Sequence, residues 1–281
     1  MPKVSVLTPI YKTHPEHLRE CIESILNQTF TDFEFLILND SPDATYLAEI
    51  VKSYKDKRIK YIENEHNMGI SASRNKLLHM ARGEYLAVFD HDDISVPTRL
   101  AQEVEFLDAN PHIGVVSGML EFFGDKNCKV YVPEHDIDIL VGLTDNCIVA
   151  HTAAMIRKSV LIDNAIEYEE FYTPAEDWRL WARLMQVTHF HNIQETLVQY
   201  RWFAQNTTKT MNTRMQLSSM AVKLYLHNTY PEYWHEFQRR NTQKSGTHFR
   251  LRLFGFIPLF KIKNDWIQLF EFIPMLKIKR K

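Results

Sequence analysis

The stretch Tyr85-Leu-Ala-Val-Phe-Asp90-His-Asp-Asp93 reads as a short buried strand ending in three carboxylates within four positions. Upstream of it, Gly69–Met80 reads as a helix. Downstream, Pro97 opens another helix, with Leu100, Val104 and Leu107 at core spacing. A strand set between two helices is the building unit of an α/β sheet. The carboxylates at its end need an explanation, because close carboxylates repel and raise each other's pKa. Two readings stand side by side. Asp-x-Asp on a turn offers hard oxygen ligands to a divalent cation shared with substrate phosphates. Alternatively, an acidic loop leads into a helix N-terminus, where carboxylates are also favourable.

Working back toward the start, the same unit repeats. Val4–Thr8 is a buried strand, followed by a helix with Pro15 near its start and Leu18, Ile22, Ile25 and Leu26 on its inner face. Phe33-Glu-Phe-Leu-Ile-Leu38 is a second strand, ending at Asn39-Asp40. Ser41-Pro42 reads as a helix cap and first-turn proline, before the stripe Leu47, Ile50, Val51 and Tyr54. Ile59–Ile62 is a short third strand. Repeated strand–helix–strand units imply a mainly parallel sheet with helices on both faces. In such sheets ligands sit outside the carboxyl ends of the strands. Thr8-Pro9-Ile10-Tyr11, Asn39-Asp40 and Asp90–Asp93 all lie at those ends, so the fold itself brings them together.

The second half is less regular. Val115–Phe122 and Asn146–Arg157 read as strands, and Glu176–Met185 as a helix entered through acidic residues. Thr207–Arg214 is polar and is expected to be mobile.

The 281 residues, 45% hydrophobic and 24% charged, suit one large domain or one domain with an appendage. Three widely spaced cysteines show no metal or redox spacing, which fits unpaired thiols in a reducing cytosol. The start lacks the basic region and apolar core of a signal peptide, and no apolar run reaches about 18 residues, the length a spanning helix needs. The net charge of −2 hides an asymmetry: residues 239–281 hold 11 Lys/Arg and 2 Asp/Glu, while the rest balances at −11.

The basic end carries a repeat. Leu253-Phe-Gly-Phe-Ile-Pro-Leu-Phe-Lys-Ile-Lys263 recurs as Leu269-Phe-Glu-Phe-Ile-Pro-Met-Leu-Lys-Ile-Lys279, identical at eight of eleven positions. Apolar and aromatic residues beside lysines suit a segment in a membrane interface, its cations near lipid phosphates. The proline in each unit argues against two long unbroken helices. The other reading is an arm packed on the domain or on a second subunit, which leaves a homo-oligomer open. No nucleic-acid motif accompanies the basic residues.

At this point the residues resemble a known family. Val4-Ser-Val-Leu-Thr-Pro-Ile-Tyr11, Ser24-Ile-Leu-Asn-Gln-Thr-Phe30 and Phe33–Asp40 look like the opening of family 2 glycosyltransferases of bacterial surface-polysaccharide type. Asn67-Met-Gly69, Ala72-Ser-Arg-Asn75, Gly83-Glu-Tyr-Leu86, Asp90–Asp93, Ile156-Arg-Lys158 and Glu176-Asp177-Trp178 follow in the family's order. The resemblance covers roughly residues 3–203. It implies the GT-A fold, with residues 1–215 as the transferase domain: a nucleotide-binding half over 1–95 and an acceptor-binding half over 96–215. Residues 216–281 would form a helical, basic and aromatic tail.

The resemblance also implies roles. Thr8, Pro9 and Tyr11 fall where the first strand meets the nucleotide, with Asn67, Gly69, Arg74 and His91 nearby. Asp40 matches the carboxylate that reads uracil, since a carboxylate accepts from the ring N–H. Arg74 falls on a basic position near the nucleotide, or makes a helix-surface ion pair. Asp92 would ligate Mn²⁺ or Mg²⁺, with Asp90 on the ribose or beside the metal. Asp93 is expected to start the following helix, and His91 to point away on the alternating strand end. Asp177 matches the general base, with Glu176 toward the acceptor; the other reading of the pair is helix N-terminal carboxylates. His151 either faces the acceptor or is a buried, hydrogen-bonded core histidine. Many relatives carry Tyr-Arg-x-His after the last core strand; here the segment is Tyr200-Arg-Trp-Phe203, and phenylalanine does not ligate.

These implications describe a metal-dependent, inverting enzyme that moves a hexose or N-acetylhexosamine from a UDP-sugar to a glycan, which the basic, aromatic tail suggests is carried on lipid, as in lipopolysaccharide, lipooligosaccharide or capsule synthesis. It would be cytoplasmic, peripheral at the inner face of the membrane through residues 247–281. Two alternatives stand: a non-catalytic sugar-nucleotide-binding subunit, and a sugar nucleotidyltransferase. The second normally needs a glycine-rich phosphate loop, and Thr8–Thr13 contains no glycine.

Overall fold

A computed structural model of the chain describes residues 1–203 and 212–244, and beyond them four short strand segments. The order begins β1 (Val4–Ile10), α1 (Pro15–Leu26), β2 (Phe33–Asn39), α2 (Thr45–Ser53), β3 (Ile59–Glu63), α3 (Ile70–Met80), β4 (Tyr85–Val88), β5 (Ile94–Ser95) and α4 (Arg99–Ala109). It continues β6 (Ile113–Gly124), β7 (Cys128–Val130), α5 (Asp136–Leu143), a 3-10 turn at His151–Ala153, β8 (Met155–Arg157), α6 (Lys158–Asp163), α7 (Glu176–Leu184) and β9 (His189–Trp202). Two helices follow, α8 (Asn212–Thr229) and α9 (Pro231–Lys244).

One sheet runs in the order β3-β2-β1-β4-β8-β6-β9-β5, with β7 beside β6. The β3-β2-β1-β4 half is parallel. Beyond β4 the sheet is mixed, because β8 is antiparallel to both its neighbours. Strand alternation divides the apolar residues between two faces. Val4, Val6, Phe35, Ile37, Tyr85 and Ala87 pack with α1, α2 and α4 residues. Leu7, Leu36, Leu38, Leu86 and Val88 pack with those of α3, α5 and α7. Both faces are therefore covered, and β1, β2 and β4 are buried along their whole length for that reason. All three cysteines are free.

Several expectations change. Ser41-Pro42 does not open a helix: α2 begins at Thr45. The Ser41 hydroxyl instead accepts the Lys12 N–H at 3.0 Å, tying the end of β1 to the loop after β2. Of Asn146–Arg157, only the last three residues are a strand. The polar run 207–214 lies partly outside the described residues, and Asn212–Arg214 open α8.

The turn carrying the carboxylates is clamped from below. Arg99 and Glu103 are fully buried and paired at 3.2 Å. Arg99 Nη2 also donates to the carbonyls of Val88 at 3.0 Å and Ala154 at 3.3 Å. One guanidinium thus ties the end of β4 to the turn before β8. Removing one partner of such a buried pair costs about 3–5 kcal/mol, so the clamp is firm.

Beyond residue 244, β10 (Arg250–Leu253), β11 (Ile257–Lys263), β12 (Trp266–Leu269) and β13 (Lys277–Lys279) form a separate antiparallel sheet. The tail is thus helical to Lys244 and strand-forming in its repeat. Lys263 and Lys279 pair with Trp266 from opposite sides, as Lys261 and Lys277 do with Gln268. The two Lys-Ile-Lys units therefore share one register across β12. Among the described residues, no helix is long and apolar enough to cross a membrane.

Candidate active site

The carboxyl ends of β1, β2 and β4 open into a cavity of about 920 Å³. Its walls include Pro9, Tyr11, Asp40, Asn67, Gly69, Arg74, Asp90, His91, Asp92, His151, Glu176, Asp177 and Phe203. The volume lies in the range of small-molecule sites. Of the residues singled out from the sequence, all but Thr8 line it. Thr8 is fully buried, and its hydroxyl donates to the Phe89 carbonyl at 2.9 Å. It stitches the ends of β1 and β4 together beneath the floor, so the nucleotide contact expected of it is not available.

Asp40 organises one end of the cavity. Its Oδ1 accepts from Asn64 Nδ2 at 2.7 Å and from the Met68 N–H at 2.8 Å. Its Oδ2 accepts the Gly69 N–H at 2.9 Å. A carboxylate offers about four lone-pair sites, so one remains on Oδ2. Asn67 Oδ1 shares the Gly69 N–H at 2.8 Å. Gly69, at φ +86°, is the residue before α3 and has open space where a Cβ would stand. Only glycine takes that left-handed turn without strain.

The three carboxylates after β4 resolve their repulsion in three ways. Asp90 Oδ1 accepts from Arg74 Nη2 at 3.1 Å. Burial is the largest single influence and would raise its pKa, but the Arg74 charge and hydrogen bond, with His151 and His91, together hold Asp90 below its ordinary value. Asp93 is 1% exposed. Burial, then Asp92 and Asp90, push its pKa well above the ordinary aspartate value, which favours its protonated form. Its Oδ1 accepts the Arg201 N–H at 2.9 Å, fixing β9 beside β5. It does not start α4, whose Leu100 N–H is taken by Gln28 Oε1 at 3.0 Å. Asp92 lines the cavity, and among the described residues no Lys or Arg pairs with it. It is the carboxylate of the three left for a cation.

His91 also faces the cavity, contrary to its expected direction, with Nδ1 4.0 Å from Asp92 Oδ1. The strand ends at Val88, so the alternation that would turn His91 away no longer applies at a turn.

Arg74 joins the two sides of the site. Its Nη1 donates to Glu176 Oε1 at 2.7 Å while Nη2 holds Asp90. Burial would lower its pKa, but Asp90 and Glu176 raise it, so it stays charged. Glu176 and Asp177 occupy the first turn of α7, which satisfies the helix-dipole reading and places both in the cavity wall. Asp177 Oδ1 accepts the Trp178 N–H at 2.6 Å. Burial, and then the Glu176 charge, push Asp177 up to about 6. Trp178 Nε1 donates to the Leu143 carbonyl at 2.9 Å, locking α7 to α5.

His151 Nε2 pairs with the Tyr168 hydroxyl at 2.8 Å. Burial, then Arg74, push its pKa down to about 3, so it is neutral. Phe203 lies in the wall near His17, ring centroids 5.8 Å apart. It also faces a neighbouring cavity of about 540 Å³ lined by Lys12, His14, His17 and Asp125.

Sequence reasoning missed the wall formed by Thr173, Cys147 and Ser219. The Thr173 carbonyl accepts from Arg214 Nε at 3.0 Å and from the Ser218 hydroxyl at 3.1 Å. Helix α8 is thereby pinned to the cavity rim. A polar Thr-Pro immediately before the acidic helix start was the available signal.

Comparison with known proteins agrees with this architecture. The family model described as glycosyl transferase family 2 matches residues 5–164. An uncharacterized glycosyltransferase of Methanocaldococcus jannaschii is 35% identical over 207 residues, 71% of this chain and 71% of that protein. One from Haemophilus influenzae is 30% identical over 236 residues, 79% of this chain and 72% of its own length. Among solved structures, S. aureus TarS 1-349 in complex with UDP-GlcNAc superposes with a TM-score of 0.70 at 20% identity, covering 87% of this chain and 74% of that one. The mannosyltransferase PcManGT of Pyrobaculum calidifontis, in complex with GDP-Man and Mn²⁺, gives 0.59 at 15%, covering 88% and 76%. A family match over more than half of the chain and a relative at 35% identity over more than two thirds of it establish that this protein belongs to glycosyltransferase family 2, a glycosyltransferase with the GT-A fold.

Proposed function

We propose that the enzyme transfers a hexose or N-acetylhexosamine from a UDP-sugar to a glycan acceptor, with inversion, and that it requires a divalent cation. The observation that carries this reading is one cavity holding Asp40, Asp92 and Asp177 together. Asp40 has one lone pair left to accept a uracil N–H, with Pro9 and Tyr11 beside it. TarS binds UDP-GlcNAc and PcManGT binds GDP-Man with Mn²⁺, which supports a nucleotide-sugar donor and a metal. Asp92 would hold the cation directly, with Asp90 kept beside it by Arg74. A cation there supplies positive charge to the departing diphosphate.

The chain's own residues divide the remaining work. Asp177, raised toward neutrality, takes the proton from the acceptor hydroxyl. Glu176 and neutral His151 position the acceptor. Arg74 couples the halves, since the guanidinium that holds Asp90 also holds Glu176. The test is a donor panel of UDP-Gal, UDP-Glc, UDP-GalNAc, UDP-GlcNAc and GDP-Man, with Mn²⁺ or with chelator. Turnover of one UDP-sugar that chelator abolishes is the expected result. Preference for GDP-Man overturns the assignment of Asp40, and UDP binding without turnover on any acceptor leaves a binding subunit.

The acceptor reading rests on the tail. Residues 239–281 balance at +9 and carry the repeat, and lysines of both repeat units share one register across β12. A cationic, aromatic segment of this kind suits an anionic inner-leaflet surface, and with it a lipid-linked glycan. Deleting residues 247–281 is expected to release the protein from phosphatidylglycerol-containing vesicles while leaving UDP affinity intact. A truncated form that still pellets with those vesicles removes the membrane role.

A further inference from the structure

Away from the cavity, the segment before α5 runs beside β9. His135 and His191 form an antiparallel backbone bridge. The Asn192 N–H donates to the Glu134 carbonyl at 3.0 Å, and Asn192 Nδ2 donates to the Pro133 carbonyl at 2.8 Å. The His191 ring stacks on Phe106 of α4, centroids 4.2 Å apart at 20°. These bonds fix the backbone under Glu134, His135 and His191. One ligand atom from each lies within 4.8 Å of the other two, and Glu134 Oε2 is 3.9 Å from His135 Nε2. None of the three lines either cavity, so the transfer reaction gives no reason for their convergence.

We infer that Glu134, His135 and His191 form a Zn²⁺ site, separate from the cation site at Asp92. Two imidazoles and one carboxylate are a borderline-soft donor set, which suits Zn²⁺ rather than Mg²⁺ or Ca²⁺ with their oxygen ligands. With bonds of about 2.0–2.2 Å, tetrahedral ligand atoms stand about 3.4 Å apart. The observed spacing closes to that by roughly an ångström of side-chain rotation. Glu134 and His135 are exposed and free to rotate, while Phe106 holds the His191 ring. Water takes the fourth position. The ion would staple the link between β7 and α5 to β9.

The experiment uses the full chain carrying Asp92→Ala, so that the active-site cation does not contribute. Titration with Co²⁺, read by its visible tetrahedral absorption, and with Zn²⁺ by calorimetry should each give one equivalent bound. His135→Ala and Glu134→Gln alter exposed side chains and should leave the fold intact. Each is expected to weaken binding by at least the roughly 10- to 100-fold that loss of a mere outer-shell partner costs. In the otherwise native enzyme, His135→Ala should leave sugar transfer unchanged. One equivalent bound equally well by both variants overturns the site. So does loss of binding on His189→Ala alone, which would assign the ion to the neighbouring His189–Asp136 pair, 2.7 Å apart.

Discussion

Asp177→Asn should lower kcat by roughly 10²- to 10⁴-fold, the contribution of a positioned general base, with UDP affinity unchanged. The amide keeps the oxygen that accepts the Trp178 N–H, so α7 keeps its first turn and the loss is chemical. The pH dependence is the stricter test. The base works deprotonated, and Asp177 is raised to about 6 by burial and by Glu176. Activity of the native enzyme should therefore climb as pH rises through about 6 and level above it. In Asp177→Asn that limb disappears. The stability sign is opposite to that of a carboxylate stabilised by a salt bridge. A carboxyl whose folded pKa exceeds its unfolded value binds its proton more tightly when folded. Its ionisation costs nothing below the unfolded value near 3.8 and the full penalty above about 6. Asp177→Asn should thus melt higher than the native enzyme at pH 8, and the difference should shrink as pH falls toward 4. Lost activity with gained stability separates a strained catalytic group from a structural one. Equal kcat in the two proteins removes Asp177 from the reaction.

The parallel half of the fold was legible because local and long-range signals agree there. Val4–Ile10, Phe33–Asn39 and Tyr85–Val88 are mostly apolar and buried along their whole length, and each leads on to a helix with a buried inner stripe. The second half was not, because its sheet is built from distant pairings. Strand β9 pairs in parallel with β6 and antiparallel with β5, which is two residues long, and no local pattern announces either partner. The site shows the same division. Asp40, Asp92 and Asp177 line one cavity, and strand ends and a helix start are enough to bring them there. The Arg74–Glu176 contact spans 102 positions, so sequence alone sets an ion pair against a place in the cavity wall, whereas in the structure Arg74 has both. Thr8, His91 and Asp93 depart from their expected roles. Thr8 lies inside β1, which runs on to Ile10, His91 in the turn beyond Val88, and Asp93 well before α4 opens at Arg99. Their directions are set instead by Phe89, by the turn after Val88, and by the backbone of Arg201.

Asp92→Ala should reduce turnover by about 1000-fold, equivalent to the several kcal/mol that a cation contributes to leaving-group charge. The residual rate should no longer respond to Mn²⁺. The control that gives this result meaning is Asp93→Asn, one residue away. Asp93 is buried, does not line the cavity, and accepts the Arg201 N–H on Oδ1, while burial, Asp92 and Asp90 push its pKa up. An amide keeps the acceptor and removes a charge that burial disfavours, so Asp93→Asn should keep near-native kcat and its Mn²⁺ response. If acidity of the turn alone mattered, the two variants would fall together, each removing one formal carboxylate. If the burden is divided as the geometry has it, only Asp92 matters, because Asp90 is committed to Arg74 and Asp93 is buried with its Oδ1 on the Arg201 N–H. Native Mn²⁺ dependence in Asp92→Ala would show that the cation is held elsewhere. With Asp90 paired to Arg74, burial favouring the protonated form of Asp93, and Asp92 open to the cavity, the repulsion of the three carboxylates is eased without a cation. That division keeps the turn folded in the absence of donor and metal. It also leaves a single open carboxylate where a nucleotide-bound cation would arrive, so cation affinity should rise when UDP is present. Calorimetric Mn²⁺ titration of the native enzyme with and without UDP measures this coupling directly.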